Sequence, residues 1–232
     1  MDLLKTQRFK SIIVFILTLF AMLILDYILL FVFTYCFYNS SIKDVPIVFY
    51  YLAMILKYLL IIIFYLLYYK NYLKEKWKDF RLNFKKYFKI AFNDWIIGFI
   101  IMYVSNIFIM RIIGTPGQNE ETVQKLISYT PLFAFLLTTI LAPIVEEMVF
   151  RKSLKDCFKN KIIFMIVSGF LFAFVHVMGS SSYLEYLLII PYGALGVSFA
   201  HTLNETDNIY STIMMHAIHN GFLTLLSIMV NL

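Results

Sequence analysis

The stretch SIIVFILTLFAMLILDYILLFVFTYCF, residues 11–37, decides the fold class, because Asp26 is the only charged residue in it. A helix needs about 20 mostly apolar residues to cross the hydrocarbon core of a bilayer, and this stretch exceeds that length. It is also longer than the apolar core of a signal peptide and lacks a small-x-small cleavage site. We therefore expect a retained membrane anchor.

Further apolar segments follow at regular intervals along the 232-residue chain. The predicted spans are residues 11–37, 45–69, 95–113, 126–145, 162–178, 186–201 and 209–232. The sixth is short and contains Pro191, Gly193 and Gly196, so we expect it to be kinked or partly re-entrant. The sequence predicts an all-α polytopic membrane protein with about seven transmembrane helices, within a range of about six to eight.

The amino-acid composition favours the same class of protein. Hydrophobic residues make up 61% of the chain, and charged residues make up 15%, against about a quarter in soluble domains. A soluble domain of this size could not remove so much apolar surface from water. The two cysteines, Cys36 and Cys157, are too few for a disulfide framework, and neither lies near a convincing catalytic base.

Lysine and arginine concentrate on one side of an alternating topology. Sixteen of the 20 basic residues precede span one, follow span two or follow span four, whereas Lys43 and Lys125 lie in the opposite connections. Basic residues favour the cytoplasmic side, so we predict a cytoplasmic N-terminus. We expect the basic, aromatic-rich residues 70–89 to lie on anionic lipid headgroups. This placement explains the net charge of +6 without a nucleic-acid partner.

Two charged residues interrupt the first two spans. Asp26 and Lys57 both fall near the middle of neighbouring antiparallel helices. A charge inside a bilayer is costly, so it needs a partner or a function. We interpret these two residues as a structural ion pair.

The apolar segments between residues 140 and 222 carry a different kind of polar residue. Glu147 and Arg151 are four residues apart, the separation at which opposite charges meet on a helix. Glu146 lies about 100° around the same helix and lacks that partner, which makes it the candidate general base. If the helix ended at Arg151, however, Glu146 would lie too near the cytoplasmic end to meet His176, so we expect the helix to continue beyond Arg151.

Histidines occupy the later apolar segments. Phe172 lies one turn before His176, so its ring can pack beneath the imidazole. His216 and Asn220 share a helix face, and both could donate to a single oxygen. We interpret His219 as a structural residue that reaches a backbone carbonyl or the membrane interface.

These residues form three motifs that resemble a known family. The patterns EExxxR at 146–151, FxxxH at 172–176 and HxxxN at 216–220 resemble, in order and approximate spacing, the motifs of the CPBP intramembrane proteases. This family, also called Abi, is named for CAAX proteases and bacteriocin-processing enzymes. The resemblance covers about a third of the chain and implies a protease core in residues 95–232, preceded by anchor spans and the basic segment in residues 1–94.

The resemblance implies hydrolysis of a peptide bond without a covalent intermediate, a metal or another cofactor. Glu146 and His176 would activate a water, and His216 and Asn220 would stabilise the oxyanion. The remaining motif residues, Glu147, Arg151 and Phe172, would orient the site. The expected substrate is a small peptide precursor, such as a bacteriocin precursor, or another membrane protein. Residue usage typical of low-GC genomes favours a bacterial plasma membrane.

Three other functions are compatible with the sequence. Glu146, His176 and His216 would make an acceptable zinc site, although no HExxH motif is present. A proton-coupled transporter could also place Glu and His in apolar helices, but the sequence lacks an inverted repeat. A non-catalytic scaffold or bacteriocin-immunity protein is the third alternative, and the presence of every motif residue argues against it.

Overall fold

The computed structural model describes residues 2–37 and 46–231. Within these ranges the chain is helical and contains no β-strand. The α-helices are α1 Asp2–Phe37, α2 Ile47–Tyr68, α3 Lys70–Leu82, α4 Phe84–Ile113, α5 Gln118–Tyr129, α6 Pro131–Leu136, α7 Ala142–Glu147, α8 Lys161–Val177, α9 Ile189–Thr206 and α10 Ile209–Asn231. Two π-helical segments, Leu137–Leu141 and Met148–Ser153, flank α7, and a 3₁₀ segment, Tyr183–Leu188, precedes α9.

Six helical stretches in the described ranges are long and apolar enough to cross a membrane. They are Gln7–Phe37, Ile47–Tyr68, Phe84–Ile113, Pro131–Ser153, Tyr183–Thr206 and Ile209–Val230. The shorter apolar helix Lys161–Val177 coincides with the fifth predicted span. The predicted all-α polytopic fold is therefore confirmed. Lys43, which entered the prediction of orientation, lies outside the described residues.

The fourth span begins at Pro131 rather than at residue 126. The residue before a proline avoids the α conformation, and Thr130 accordingly has φ −149° and ψ 73°. This break separates α5 from the span. Inside the span, Pro143 lacks an amide N–H, and the wider π turn Leu137–Leu141 precedes it.

The helix of the sixth span is continuous from Ile189, whereas we expected a kinked or partly re-entrant segment. Pro191 lies in the first turn of α9, where a missing amide donor is tolerated, and the helix then continues to Thr206. The glycines instead serve close packing between α8 and α9. A Cβ on Gly169 would lie 2.5 Å from the side chain of Val197, and a Cβ on Gly196 would lie 2.9 Å from the Cα of Gly169. Small residues of this kind let membrane helices approach closely.

The first two spans are fixed to each other and to the fourth span by polar contacts. Lys57 Nζ lies 2.9 Å from Asp26 Oδ2, which confirms the predicted ion pair. The Tyr65 hydroxyl donates to Thr18 at 2.7 Å and lies 3.0 Å from the Ser153 hydroxyl. Because Ser153 belongs to the π segment that follows Glu147, these contacts tie the N-terminal helices to the helix that carries the first motif.

The basic segment is divided between two helices that meet at Asn83. Its exposed basic residues lie on α3 and on the first turns of α4; they are Lys70, Lys74, Lys78, Arg81, Lys85, Lys86 and Lys89. Lys76 differs, because its ammonium pairs with Asp207 at 2.7 Å, in the turn between α9 and α10. Lys155 pairs with the same carboxylate at 2.6 Å. The segment is therefore fastened to the end of the bundle where α9 and α10 join.

Two carboxylates at this junction, Asp207 and Asp79, have pKa values below the ordinary value for Asp. Burial alone would raise the pKa of Asp207, but the hydrogen bonds and charges of Lys155 and Lys76 outweigh it and hold that pKa below its ordinary value. Burial would likewise raise the pKa of Asp79, but hydrogen bonds, first from Asn208 and then from Tyr87, lower it. Both carboxylates are therefore stabilised in the ionised form that the network requires.

Candidate active site

The second glutamate of the EExxxR motif is fully buried and paired. Glu147 Oε2 lies 3.2 Å from Arg151 Nε, and both side chains have 0% exposure. The guanidinium also lies over the ring of Phe172, with its carbon 4.6 Å from the centroid, and 5.8 Å from that of Phe199. The predicted pairing of Glu147 with Arg151 is confirmed, and Phe172 forms one wall of this pair.

The first glutamate has a different environment. The Glu146 side chain keeps 14% exposure and lies in the wall of a cavity that His176 also lines. Its Oε2 is 3.6 Å from His216 Nε2, which is longer than a hydrogen bond. The carboxylate of Glu146 is therefore held less tightly by neighbouring side chains than that of Glu147, as expected for a general base.

His216 lies between the two glutamates. Its Nδ1 is 2.8 Å from Glu147 Oε1. A carboxylate oxygen accepts, so Nδ1 carries a proton and Nε2, which faces Glu146, is a lone pair unless the ring is protonated. The imidazole is 3% exposed and stacks on Phe199 with ring centroids 5.0 Å apart. Burial and stacking fix the orientation of this ring.

Asn220 makes a contact that the sequence did not indicate. Its Nδ2 donates to the backbone oxygen of Thr138 at 3.0 Å, inside the π segment before α7. Sequence spacing predicts that Asn220 and His216 point at one oxygen, whereas this bond fastens one amide proton of Asn220 to the fourth span. The second amide proton remains the one that a substrate oxygen could use.

His176 is held on both sides. Its Nδ1 lies 2.7 Å from the carbonyl oxygen of Phe172, which can only accept, so Nε2 bears the lone pair of the neutral ring. The Phe172 ring packs against the imidazole at 4.5 Å, as predicted, and Tyr192 stacks on it at 4.8 Å. The Tyr192 hydroxyl in turn accepts from Asn119 Nδ2 at 3.1 Å.

Glu146 can meet His176 because the helix that carries Glu146 does not end at Arg151. As expected, this helix continues beyond Arg151, through the π segment that ends at Ser153. A further turn follows, in which the Cys157 amide donates to Leu154 O. The helix of the fourth span is therefore longer at its C-terminal end than its apolar run indicates, and Glu146 lines the same cavity as His176.

The cavity has a volume of about 170 Å³. It is lined by Met22, Leu23, Lys57, Tyr58, Asn119, Glu146, Val175 and His176. Half of this lining comes from the first two spans, which lie outside the motifs, and sequence reasoning missed it. A lysine in the middle of a span was the one available signal. Asn119 belongs to α5, at the end of the bundle opposite the basic segment, so the wall of the cavity also includes a residue from the connection between α4 and the fourth span.

His219 is a structural residue with a partner other than the expected backbone carbonyl. Its Nδ1 accepts a hydrogen bond from Trp95 Nε1 at 3.2 Å, which links α10 to α4. The ring also contacts Phe99 with centroids 6.1 Å apart. His219 therefore contributes to helix packing and is not among the residues that line the cavity.

Other candidate chemistries find less support in the arrangement of side chains. Within residues 2–37 and 46–231, no three His, Cys, Asp or Glu side chains are placed to hold a metal ion together. Burial, followed by the charge of Asp156, raises the pKa of the Cys157 thiol to about 11, which disfavours the reactive thiolate. Cys36 is exposed at the far end of α1. The cysteines therefore remain weak candidates.

Comparison with known proteins supports the reading of the motifs. Residues 128–222 match the family model described as type II CAAX prenyl endopeptidase Rce1-like, and all three motifs lie inside this match. This confirms the resemblance to the CPBP family that was drawn from the motifs. No solved structure matches the chain.

Two bacterial relatives are similar over more than half of the chain. The "UPF0177 protein YbdI" of Lactococcus lactis is 26% identical over 60% of this chain and 78% of its own length. The "Putative membrane peptidase YdiL" of Bacillus subtilis is 28% identical over 61% of this chain and 54% of its own length. The chain thus matches about half the length of the Bacillus protein. Together with the family match, these similarities support a multi-pass membrane protease in general.

Proposed function

On the premise that residues 128–222 match the Rce1-like family, we propose that this protein is an intramembrane endopeptidase that hydrolyses a peptide bond by a water activated at Glu146 and His176. The observation that carries the proposal is the contrast between two adjacent glutamates. The buried carboxylate of Glu147 contacts Arg151 and His216, whereas Glu146 lines the same cavity as His176. A general base must reach its proton and must not be neutralised by a permanent ion pair.

The reaction begins with a water in the cavity. Glu146 accepts one proton of this water, while the lone pair of His176 Nε2 accepts a hydrogen bond from the other. The water oxygen adds to the carbonyl carbon of the substrate, and the carbonyl oxygen becomes an oxyanion. The carbon–nitrogen bond then breaks, and Glu146 returns its proton to the leaving nitrogen. No covalent bond to the protein forms.

His216 and Asn220 stabilise the oxyanion in this scheme. Because His216 Nδ1–H is directed at Glu147, its Nε2 can donate only when the ring is an imidazolium. Glu147 Oε1, 2.8 Å from Nδ1, fixes the direction in which this ring faces. Glu147 is in turn held by Arg151. The role of the buried pair is therefore to position His216.

The substrate that we propose is a small peptide precursor or another membrane protein. Bacteriocin and signalling-peptide precursors fit a protein in a bacterial plasma membrane, where prenylated CAAX substrates are not the obvious target. The basic segment at residues 70–89 would then face the cytoplasm with the N-terminus and bind anionic headgroups. Its exposed lysines and arginines, and Trp77 with 46% exposure, support this orientation.

The test is cleavage by the full-length protein purified in detergent. We would incubate wild type and Glu146→Gln with a library of quenched fluorogenic decapeptides and with candidate precursor peptides. Glu75→Gln, a change at an exposed carboxylate on α3, is the matched control. We expect cleavage by wild type and control and none by Glu146→Gln, with equal abundance of the three proteins.

A zinc chelator separates the glutamate mechanism from a zinc mechanism. Cleavage that persists in the chelator supports a water activated by Glu146 and His176. Cleavage that is lost in the chelator and restored by zinc would assign Glu146, His176 and His216 to metal ligation instead. Cleavage that survives the Glu146 change would refute the proposed role of this residue.

A further inference from the structure

Lys57 is a charged residue of the cavity that lies outside the three motifs and outside the family match. It belongs to α2, has 7% exposure, and forms part of the same wall as Glu146 and His176. Asp26 of α1 fixes its ammonium at 2.9 Å. The first two spans therefore bring a cation, and not only anchoring helices, to the site.

The contacts of the Lys57 ammonium leave donors available. An ammonium has three N–H groups, and within the described part of the chain the hydrogen bond to Asp26 accounts for one of them. The ring of Tyr58, 5.1 Å from Nζ, provides a further cation–π contact but accepts no conventional hydrogen bond. A buried donor without a partner is costly, and here the cavity is the neighbouring space that an acceptor could occupy.

The charges around the cavity indicate the kind of acceptor. Asp26 neutralises Lys57, and Glu146 adds a negative charge to the same wall. A carboxylate on the substrate would be repelled by Glu146, whereas a neutral carbonyl dipole would not. A peptide carbonyl oxygen is therefore the ligand that matches both the free N–H donors and the charge of the site.

We propose that Lys57, held by Asp26, donates a hydrogen bond to a backbone carbonyl oxygen of the bound peptide substrate. This inference rests on the proposed endopeptidase function. Lys57 is then a substrate-binding residue contributed by the N-terminal spans, and Asp26 is the residue that positions it. Because the contact exists before and during the reaction, its loss raises KM more than it lowers kcat.

The decisive variant removes the ion pair as a whole. Lys57→Met alone leaves Asp26 without its partner and is expected to lower abundance as well as activity. The double variant Asp26→Leu/Lys57→Met replaces the pair by apolar residues that suit a membrane span, so we expect abundance and thermal stability to recover. The measurement is the KM and kcat of both variants for the library decapeptide that wild type cleaves fastest in a Glu146-dependent manner.

We expect the double variant to fold normally and to show a KM raised about tenfold or more, with kcat within about twofold of wild type. A double variant with wild-type KM and kcat would make the pair purely structural and overturn the inference. Amidated and free-acid forms of the decapeptide should lose binding equally. A loss confined to the free acid would mean that Lys57 binds a carboxylate, which also overturns the assignment.

The same experiment separates this inference from the function on which it rests. If Glu146→Gln cleaves the decapeptides as wild type does, or if wild type cleaves none of them, the proposed function fails and the inference with it. If cleavage depends on Glu146 but not on Lys57, the proposed function stands and this inference alone fails.

Discussion

Two polar regions of this protein lie side by side within the membrane helices and are built in opposite ways. The closed cluster consists of Glu147, Arg151 and His216, and its side chains are at most 3% exposed. The cavity group consists of Glu146, His176 and Lys57, which line a cavity of about 170 Å³. The two adjacent glutamates therefore differ in environment. Glu147 contacts fixed partners, whereas Glu146 borders the cavity. In the closed cluster Glu147 is held by Arg151 and by His216 Nδ1, whereas the cavity group keeps polar atoms available for a ligand.

The largest difference between the two regions is expected in the chemical step. Glu146→Gln should lower kcat by about 10²–10⁴-fold, because it removes the proposed general base, while abundance and thermal stability stay near wild type. Kinetics of decapeptide cleavage and the yield of purified protein measure both effects. If abundance fell together with kcat, Glu146 would be a structural residue like Glu147, and the contrast between the two regions would not hold.

A substitution in the closed cluster is expected to act first on the stability of the protein and only then on the chemical step. Arg151→Met leaves the Glu147 carboxylate buried without its cation, and we expect the free energy of unfolding to fall by about 3–5 kcal/mol. In the double variant Glu147→Gln/Arg151→Met no buried charge is left unpaired, so most of this stability should return without full activity. Unfolding in mixed detergent micelles measures the difference. Wild-type stability in the single variant would contradict the buried pairing.

A smaller effect is expected where a neighbouring side chain orients the cavity group. Tyr192→Phe keeps the ring stacked on His176 but removes the hydroxyl that accepts from Asn119. We expect kcat to fall about two- to tenfold, the equivalent of one neutral hydrogen bond. Tyr186→Phe, at an exposed ring in the 3₁₀ segment, is the matched control. Equal kinetics for both variants would show that the stacked ring alone orients His176.

The smallest effect is expected at the ion pairs of Asp207, in the turn where α9 and α10 join. The pKa of Asp207 is lowered in the folded protein, so its contribution to stability is fully present above the ordinary Asp pKa of about 3.9 and is lost as the pH falls below that value and through the lower pKa of the folded state. Asp207→Asn should therefore reduce the stability difference between pH 6 and pH 3, by at most about 1 kcal/mol because the side chain is exposed. Thermal unfolding at the two pH values is the measurement. An unchanged pH dependence would mean that Lys76 and Lys155 do not stabilise the ionised carboxylate.

The sequence predicted the features that depend on local spacing. Apolar runs predicted the membrane helices, and a separation of four residues predicted the pairing of Glu147 with Arg151. The bond from Asn220 to Thr138 and the bond from Trp95 to His219 were not predicted, because each joins residues more than 80 positions apart in sequence. The break at Pro131 and the continuity of α9 were missed for a different reason. The effect of a proline depends on whether it ends one helix or lies in the first turn of another.

The sequence by itself determined that the chain crosses a membrane, which side is basic and which polar residues form the three motifs, because hydrophobicity, charge and helical periodicity are local properties. The tertiary structure decided which of these residues meet. It brought Lys57 and Asn119 to the wall shared by Glu146 and His176, and it placed His216 between the two glutamates. The physical reason is that helix packing, set by close contacts such as Gly169 with Gly196, brings together residues that are far apart in sequence.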